Sequence, residues 1–421
     1  MNMVSEQIPA KAQLQFTGRN KLRLAYFVSH PIQYQAPLLR FIAADPDIQL
    51  KVFFYSDFSL RSYQDREFNQ LIEWDLPLTE GYDYQFLETW GSKQWQSWRQ
   101  QPIAKDILEQ LTQGQFDAVW VHGWSWICSL QVILAARQLG IPVLLRGESN
   151  GLKEPTHLVK KWAKKAFLNW IFNQSAGFLY IGTLNRWFYQ SYGISEERLF
   201  PMAYAVDNDF FQKQSMLARA SREALRRSLN LEPGRPIILY AAKLIEKKRP
   251  QDLLAAYRLL SSDGCTEPQP YLLFVGNGDL RSHLESEAEA TGWQSIRFLG
   301  FRNQTEMPSL YDLCDVFVLP SSFEPWGLAI NEVMNAGKAV IVSDCVGCAA
   351  DLVIEGENGR TFPVGDTAAL ADAIQWGINH STSAKEASLK RIQSWSFQED
   401  LEGLKQALNY VGIKSVQWKK F

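Results

Sequence analysis

The sequence predicts an α/β protein made of two doubly wound parallel sheets, each flanked by helices. Three observations carry this reading. A chain of 421 residues is too long for one ordinary domain. Apolar runs of strand length alternate with helical patterns along most of the chain, as parallel strands joined by helical crossovers require. The alternation falls into two sets, separated near residues 205–235 by a charged helical stretch that ends in Glu232-Pro233-Gly234-Arg235-Pro236.

In the first set the strand candidates are 22–29, 48–55, 118–122, 143–146 and 177–181; in the second they are 236–241, 271–275, 296–299, 316–319 and 339–342. Helical patterns at 126–139, 251–260, 280–290 and 367–377 lie between them. The exception is 56–101, rich in charge and aromatics, with Trp74, Trp90, Trp95 and Trp98. It reads as an elaborated loop region of the first domain, the kind of place that carries acceptor specificity.

Composition removes several function classes. A hydrophobic fraction of 46% against 21% charged residues describes a soluble globular protein with a substantial core. The net charge of −2 supplies no global attraction to nucleic acid, so no nucleic-acid partner is expected and any membrane attraction must be local. Five cysteines, an odd number, fit reduced thiols in a cytosolic setting. Cys345-Val346-Gly347-Cys348 has the spacing of a metal or redox pair, but Cys128, Cys265 and Cys314 are isolated and four zinc ligands are not in sight. Residues 1–20 are polar, read as a flexible terminus, and carry no apolar run of signal-peptide type. No stretch is long enough to cross a bilayer. A cytoplasmic protein is expected, with room for peripheral contact on the inner face of the cell membrane.

The densest local chemistry is Ser321-Ser322-Phe323-Glu324-Pro325-Trp326-Gly327-Leu328-Ala329-Ile330-Asn331-Glu332, between the strand 316–319 and the helical segment 328–335. A loop entering a helix presents unpaired backbone N–H groups that favour phosphate. Glu324 stands before that turn, where it can meet sugar hydroxyls. Glu332 lies about one turn into the helix, where its carboxylate can accept two vicinal hydroxyls such as a ribose diol. Together they read as a receptor for a nucleoside-diphosphate sugar. Either glutamate alone would be an ordinary acidic helix start that complements the macrodipole.

Ligands of open parallel sheets bind at the carboxyl ends of the strands. Lys243 lies just past the strand 236–241 and Lys248 follows five residues later. The two can hold a diphosphate and neutralise the charge that builds on it as a glycosidic bond breaks; the plain alternative is a solvated basic loop. Gly276-Asn277-Gly278 joins a strand to a helix, but Arg281 occupies the third glycine position of the dinucleotide fingerprint. That failure, with the glutamate pair, counts against a nicotinamide-dependent oxidoreductase. His122 ends the strand 118–122, and Glu148 of Arg146-Gly147-Glu148-Ser149 either contacts an acceptor or caps the segment that follows.

Residues 153–170 combine Lys153, Lys160, Lys161, Lys164 and Lys165 with Trp162, Phe167 and Trp170. A basic helix with aromatics can lie on anionic lipid; the commoner explanation is an amphipathic helix whose apolar stripe packs on the sheet. Asp207-Asn208-Asp209 mimics an Asp-x-Asp metal motif but is expected to cap a helix starting near Phe210, and no metal site is called for.

The stretch from about Pro236 to about Ala373 resembles the donor domain of retaining glycosyltransferases of family 4 (group 1). The Glu-x7-Glu spacing carries the likeness, with Ala242-Lys243-Leu244-Ile245-Glu246-Lys247-Lys248, Phe274-Val275-Gly276-Asn277-Gly278, Phe298-Leu299-Gly300-Phe301, Asp315-Val316-Phe317-Val318-Leu319-Pro320-Ser321 and Gly356-Glu357-Asn358-Gly359-Arg360 in the same order. The resemblance implies the GT-B fold, two Rossmann-like domains facing a central cleft. Residues 21–205 would then bind the acceptor and 206–395 the nucleotide sugar, with 396–421 a helix that crosses back to the first domain.

The same resemblance implies that Glu324 orients the sugar, Glu332 the ribose, and Lys243 with Lys248 the leaving diphosphate. The first of these positions usually holds Arg; Lys243 keeps the charge and gives up bidentate geometry. Gly276 and Gly278 would let backbone approach the donor, Phe301 and Arg302 would flank the nucleobase, and Gly327 and Leu328 would offer N–H groups to phosphate. His122 matches a histidine near the transferred sugar. Ser29-His30-Pro31-Ile32-Gln33-Tyr34 replaces a glycine-rich loop and resembles a bacterial subgroup with the same His-Pro-Ile-Gln-Tyr start. His30 and Gln33 would then contact acceptor or diphosphate through side chains. The expectation is a retaining hexosyltransferase using a UDP- or GDP-sugar, without metal or other cofactor. Its acceptor would be a glycan or a lipid-linked glycan in bacterial cell-surface polysaccharide synthesis. The rival is a GT-B-fold scaffold without turnover.

Overall fold

A computed structural model describes residues 21–65, 70–91, 101–152, 157–262 and 268–418. Residues 1–20, Trp95, Trp98, Lys153 and Cys265 lie outside the described residues.

Two parallel sheets organise the chain. The first has seven strands in the spatial order Leu199–Pro201, Gly177–Tyr180, Val143–Arg146, Ala118–His122, Leu22–Val28, Ile48–Phe54, Asp83–Phe86. The second has six, in the order Ile296–Gly300, Tyr271–Val275, Ile237–Ala241, Val316–Leu319, Ala339–Ser343, Gly359–Phe362. All pairings within both sheets are parallel. Each sheet is wound outward in both directions from its first strand. The direction of winding therefore reverses between Leu22–Val28 and Ala118–His122 in the first, and between Ile237–Ala241 and Val316–Leu319 in the second. A crevice opens at the carboxyl ends of the strands at each such reversal, and those crevices are where ligands of open α/β sheets sit.

Both sheets are covered on two faces. In the second, Ile237, Leu239, Phe317 and Val340 point into one apolar cluster while Ile238, Tyr240, Val318 and Ile341 point into the other. The first sheet does the same with Leu24, Tyr26 and Val52 against Ala25, Phe27 and Val121. This double burial is why the strands read as continuous apolar runs.

Where sequence and structure differ, the reasons are local. The region 56–101 is more than loop: it contributes the edge strand Asp83–Phe86, the antiparallel ribbon of Tyr63–Asp65 with Gln70–Ile72, and the strand Thr89–Trp90, which pairs antiparallel with Ile103–Ala104 just beyond it. Its edge strand is mostly exposed or half-buried, so no apolar run marks it. The helix expected over 367–377 runs on as Thr367–Ile392. Gly377 does not end it because a Cβ there would stand 3.0 Å from Val316 Cγ1, so the glycine serves close packing of helix on sheet. Asp207 caps Asn208–Ala218 by accepting from Phe210 N at 2.9 Å, as expected.

The last helix, Phe397–Trp418, lies on the first sheet. Phe397, Leu401, Leu404, Ala407 and Leu408 enter the cluster built on Leu22, Leu24 and Tyr26. Lys405 fastens it to Asp45 at 2.7 Å and Asp47 at 2.9 Å. Truncating the fully buried Leu404 to Ala should cost about 2–5 kcal/mol, the range for a buried Leu. Urea unfolding should show a lower midpoint for Leu404→Ala; an unshifted midpoint would mean that this helix does not stabilise the first domain.

Candidate functional site

The reversal in the first sheet builds a polar cluster around His122. The buried Tyr26 hydroxyl donates to Gln35 Oε1 at 2.8 Å, which turns the Gln35 amide nitrogen to the His122 ring, 3.3 Å from Nδ1 and 3.4 Å from Nε2. On its other side His122 Nε2 stands 3.3 Å from Glu148 Oε1, and the Tyr204 hydroxyl donates to the same carboxylate oxygen. Burial on its own would raise the Glu148 pKa. The His122 and Tyr204 hydrogen bonds and the Arg146 charge outweigh it and hold the carboxyl below its usual range. His30 sits close enough to feel His122; burial first, and that neighbour second, push its pKa down to about 4, so it is neutral near pH 7.

The reversal in the second sheet builds a charged pair. Lys248 Nζ meets the Glu324 carboxylate, with side-chain exposures of 17% and 16%, which makes this a largely desolvated ion pair. The Glu324 backbone is stapled to the next loop: its N–H donates to the Cys345 carbonyl at 3.1 Å and its carbonyl accepts from Gly347 N at 3.0 Å. From the first domain, Asn150 Nδ2 donates to the Glu324 carbonyl at 3.3 Å. Lys243 is paired across the cleft, 3.3 Å from the carboxylate of Asp65.

Beside these pairs lies a cavity of about 240 Å³. Glu332 and Tyr311 form one wall, with the Tyr311 hydroxyl donating to Glu332 Oε2 at 2.5 Å. Burial raises the Glu332 pKa to about 7, and the Tyr311 hydrogen bond only partly opposes that rise. Leu328 and Ala329 bring the start of helix Leu328–Asn335 to the cavity. Its N-cap is Gly327 in the left-handed region, φ +105°, and no side chain caps it. Gly276 closes another wall at φ +132°, where a Cβ would stand 2.0 Å from the Ala242 carbonyl oxygen; no other residue fits there. Phe301, Arg302, Gln304 and Met307 add to the second domain's share, and Gln33, Tyr34 and Trp74 come from the first.

The cavity thus collects Gly276, Phe301, Arg302, Leu328 and Glu332 as the sequence reading grouped them. Gln33, expected at the acceptor or the diphosphate, stands on the same cavity. Gly278 and Gly327 shape the adjoining turns and are not among its walls. Glu324, Lys243, Lys248, His122, Glu148 and His30 lie off those walls, in the ion pairs and the histidine cluster. Neither lysine is a free loop cation: each already holds a carboxylate. Sequence reasoning missed Gln35, Tyr204 and Tyr311 as partners of site residues, and Trp74 as a wall. For Tyr311 and Tyr204 no local spacing signals the contact; for Trp74 the only signal was its place in an aromatic-rich region.

Cys345 and Cys348 are free thiols, Cys348 buried, and no group of three or more metal-ligating side chains occurs among the described residues. The basic helix begins at Leu158, as Leu158–Gln174. Its apolar stripe is not all packed on the sheet. Leu168, Ile171 and Phe172 are buried, while Leu158, Val159 and Trp162 are 83%, 79% and 73% exposed beside Lys160, Lys161 and Lys165. No described helix is long and apolar enough to cross a membrane.

Residues 221–391, within the second domain, match the family described as glycosyl transferases group 1. An uncharacterized glycosyltransferase of Methanocaldococcus jannaschii is 30% identical over 177 residues, 41% of this chain and 40% of that protein. The alpha-D-kanosaminyltransferase of Streptomyces kanamyceticus is 25% identical over 252 residues, 58% of this chain and 62% of that protein. The chain thus spans between about two fifths and three fifths of these curated relatives. Among solved structures, Anabaena HepE in complex with UDP-glucose superposes with a TM-score of 0.62 at 17% identity, covering 94% of this chain and 99% of that one. The fold is GT-B, two Rossmann-like domains.

Glu332 makes a prediction about pH. Its folded pKa of about 7 lies above the ordinary carboxyl value of 4.5. The stabilisation from holding that proton is complete below about 4.5 and is lost as pH rises through about 7. Glu332→Gln keeps the neutral form at every pH and should remove this loss, on the order of 1–2 kcal/mol by pH 8 given that the side chain still opens onto the cavity. Urea unfolding of both proteins from about pH 5 to pH 8 checks it; parallel stability curves would exclude a raised pKa at this site.

Proposed function

We propose that this chain is a retaining glycosyltransferase that moves a hexose from a UDP- or GDP-sugar to a glycan or lipid-linked acceptor in bacterial cell-surface polysaccharide assembly. One observation carries the reading: a carboxylate, Glu332, and the uncapped start of its own helix, Leu328–Asn335, stand one turn apart on a single cavity at the carboxyl edge of the second sheet. That combination suits a diol joined to a diphosphate. The kanosaminyltransferase, a relative named for moving a sugar, and the UDP-glucose in a structural neighbour support it.

In this reading the ribose hydroxyls donate to Glu332 in its ionised form, and the diphosphate lies between the start of Leu328–Asn335 and the two lysines. Lys248 is pre-positioned by Glu324, so it reaches the phosphate without searching rotamers, and Glu324 keeps an oxygen for the sugar hydroxyls. The bond from the anomeric carbon to the phosphate oxygen breaks, and a bond from that carbon to the acceptor oxygen forms on the same face. The acceptor proton passes to the departing phosphate. The work of the protein is placement and charge stabilisation: Lys243 and Lys248 meet the charge growing on the leaving group, so the reaction as proposed needs no metal. His122, held by Gln35 and Glu148, faces the acceptor side, with His30 beside it. Closing the cleft keeps water from the sugar.

The exposed end of Leu158–Gln174 fits the same role. Leu158, Val159 and Trp162 would enter the interface of an anionic bilayer on the cytoplasmic side, with lysines at the headgroups, bringing the first domain to a lipid-linked acceptor.

Two experiments test this. In calorimetric titrations with UDP, GDP and ADP, one nucleotide should bind and Glu332→Ala should weaken it about 10- to 100-fold, the size of a hydrogen bond to a charged group. Unchanged affinity in that variant would remove Glu332 from the donor site; binding of none of the three would remove the site. Trp162→Glu should reduce co-sedimentation with vesicles containing phosphatidylglycerol and leave nucleotide affinity unchanged. Equal sedimentation of both proteins would exclude the membrane contact.

A further inference from the structure

The ribbon Tyr63–Asp65 with Gln70–Ile72, and the residues just after it, belong to the first domain by sequence but dock on the second. Asp65 pairs with Lys243 at 3.3 Å. Asn277 Nδ2 donates to Gln70 Oε1 at 3.1 Å, Asn303 Nδ2 to the Glu73 carbonyl at 2.7 Å, and Thr305 N to Asp75 Oδ2 at 3.1 Å. These partners sit on the loops that leave three adjacent strands, Ile237–Ala241, Tyr271–Val275 and Ile296–Gly300. The ribbon therefore lies over one half of the second sheet's carboxyl edge, on the side of the reversal that holds Gly276, Phe301 and Arg302.

Within that contact, Trp74 faces the cavity. Its ring meets Phe301 at 6.3 Å between centroids and an angle of 65°, and both rings line the cavity with Arg302 and Gln304. On its own side Trp74 lies beside Tyr63, whose ring packs on Phe58 at 4.4 Å, and Phe58 meets His30 edge-on at 5.6 Å. A run of rings thus links the first sheet's crevice to the wall of the nucleotide cavity. An indole supported in this way is a positioned surface and not a loose tip.

We infer that Trp74 reads the nucleobase, so that the base subsite is completed by the first domain. Two aromatic walls set at a steep angle make a corner, in which a base stacks on one ring and takes the edge of the other. Arg302 and Gln304 offer the polar groups that tell one base edge from another. A purine and a pyrimidine differ in how far they extend from the ribose anchor, and Trp74 closes the space into which the larger base extends. The inference rests on the donor-site reading above and adds to it a residue from outside the second domain.

Calorimetric titration of UDP and GDP into wild type, Trp74→Ala and Trp74→Phe tests it. Trp74→Ala should weaken the preferred nucleotide about 5- to 100-fold, the size of losing one base–aromatic stack. The ratio of UDP to GDP affinity should move toward one by at least about threefold, and Trp74→Phe should restore most of both. Trp74 is only half-buried, so the melting temperature of the free protein should stay near the wild-type value. Tight binding in wild type with an unchanged base ratio in Trp74→Ala overturns the inference and leaves the donor site standing. A wild type that binds neither nucleotide overturns both.

Discussion

The site depends on one short piece of backbone, residues 321–328, being sewn to its neighbour loop at 343–348. Ser343 Oγ donates to the Ser321 carbonyl at 2.5 Å, Glu324 exchanges backbone hydrogen bonds with Cys345 and Gly347, and Cys348 N donates to the Trp326 carbonyl at 2.9 Å. The approach is so close that a Cβ on Gly347 would stand 1.9 Å from the Pro325 carbonyl oxygen. This staple does three things at once. It aims Glu324 at Lys248, it sets where helix Leu328–Asn335 begins, and it leaves the Glu324 carbonyl free on one side for Asn150 of the first domain. Trp326 extends the same logic inward, donating its indole N–H to Asn331 Oδ1 at 2.8 Å, while Asn331 donates to the Tyr204 carbonyl at 2.9 Å. Tyr204 in turn holds Glu148, so the two crevices share one hydrogen-bonded frame.

That frame explains why the charged groups of the site are already partnered. A lysine whose side chain is about a fifth exposed carries a desolvation penalty unless an anion stands beside it. Glu324 relieves Lys248 and Asp65 relieves Lys243. An anionic ligand arriving between them does not meet an empty positive pocket. It exchanges with, or adds to, a carboxylate already in place, which lowers the net attraction and favours ligands that bring two anionic groups and a second anchor. Glu332 shows the converse. Burial raises its proton affinity, and the hydrogen bond donated by Tyr311 opposes that rise only in part.

Much of the scaffold was legible because a doubly covered parallel strand must be apolar throughout. The limits of Ala118–His122, Val143–Arg146, Tyr271–Val275, Val316–Leu319 and Leu328–Asn335 coincide with the sequence reading. Asp83–Phe86, Leu199–Pro201 and Gly359–Phe362 escaped it; each lies at an outer edge of its sheet, where one neighbour and partial exposure suffice. The site divides in the same way. Glu324, Glu332 and Gly276 could be placed because each is fixed by a strand, a turn and a helix that follow one another directly. Tyr311 reaches Glu332 from the preceding helix, and Trp74 reaches Phe301 from the other domain, so no spacing along the chain encodes either meeting. The reading of residues 153–170 as an amphipathic helix packed on the sheet holds for only part of the described helix, for a related reason. Helical periodicity shows that a stripe exists but not whether the sheet beneath is long enough to cover it, and here cover begins only near Leu168.

The two sets of contacts between the domains differ in kind. On the inner edge, Thr183 N and Oγ1 donate to Asp351 at 2.9 and 2.6 Å, and the buried Asn150 and Asn331 satisfy carbonyls of the opposite domain. Breaking these strands buried polar atoms, which is costly. On the ribbon edge, the Glu73 and Asp75 contacts are exposed, and water and salt replace such contacts at little cost. The Asp65–Lys243 pair on the same edge is itself largely desolvated, so only the outer end of the ribbon rests on contacts that water replaces readily.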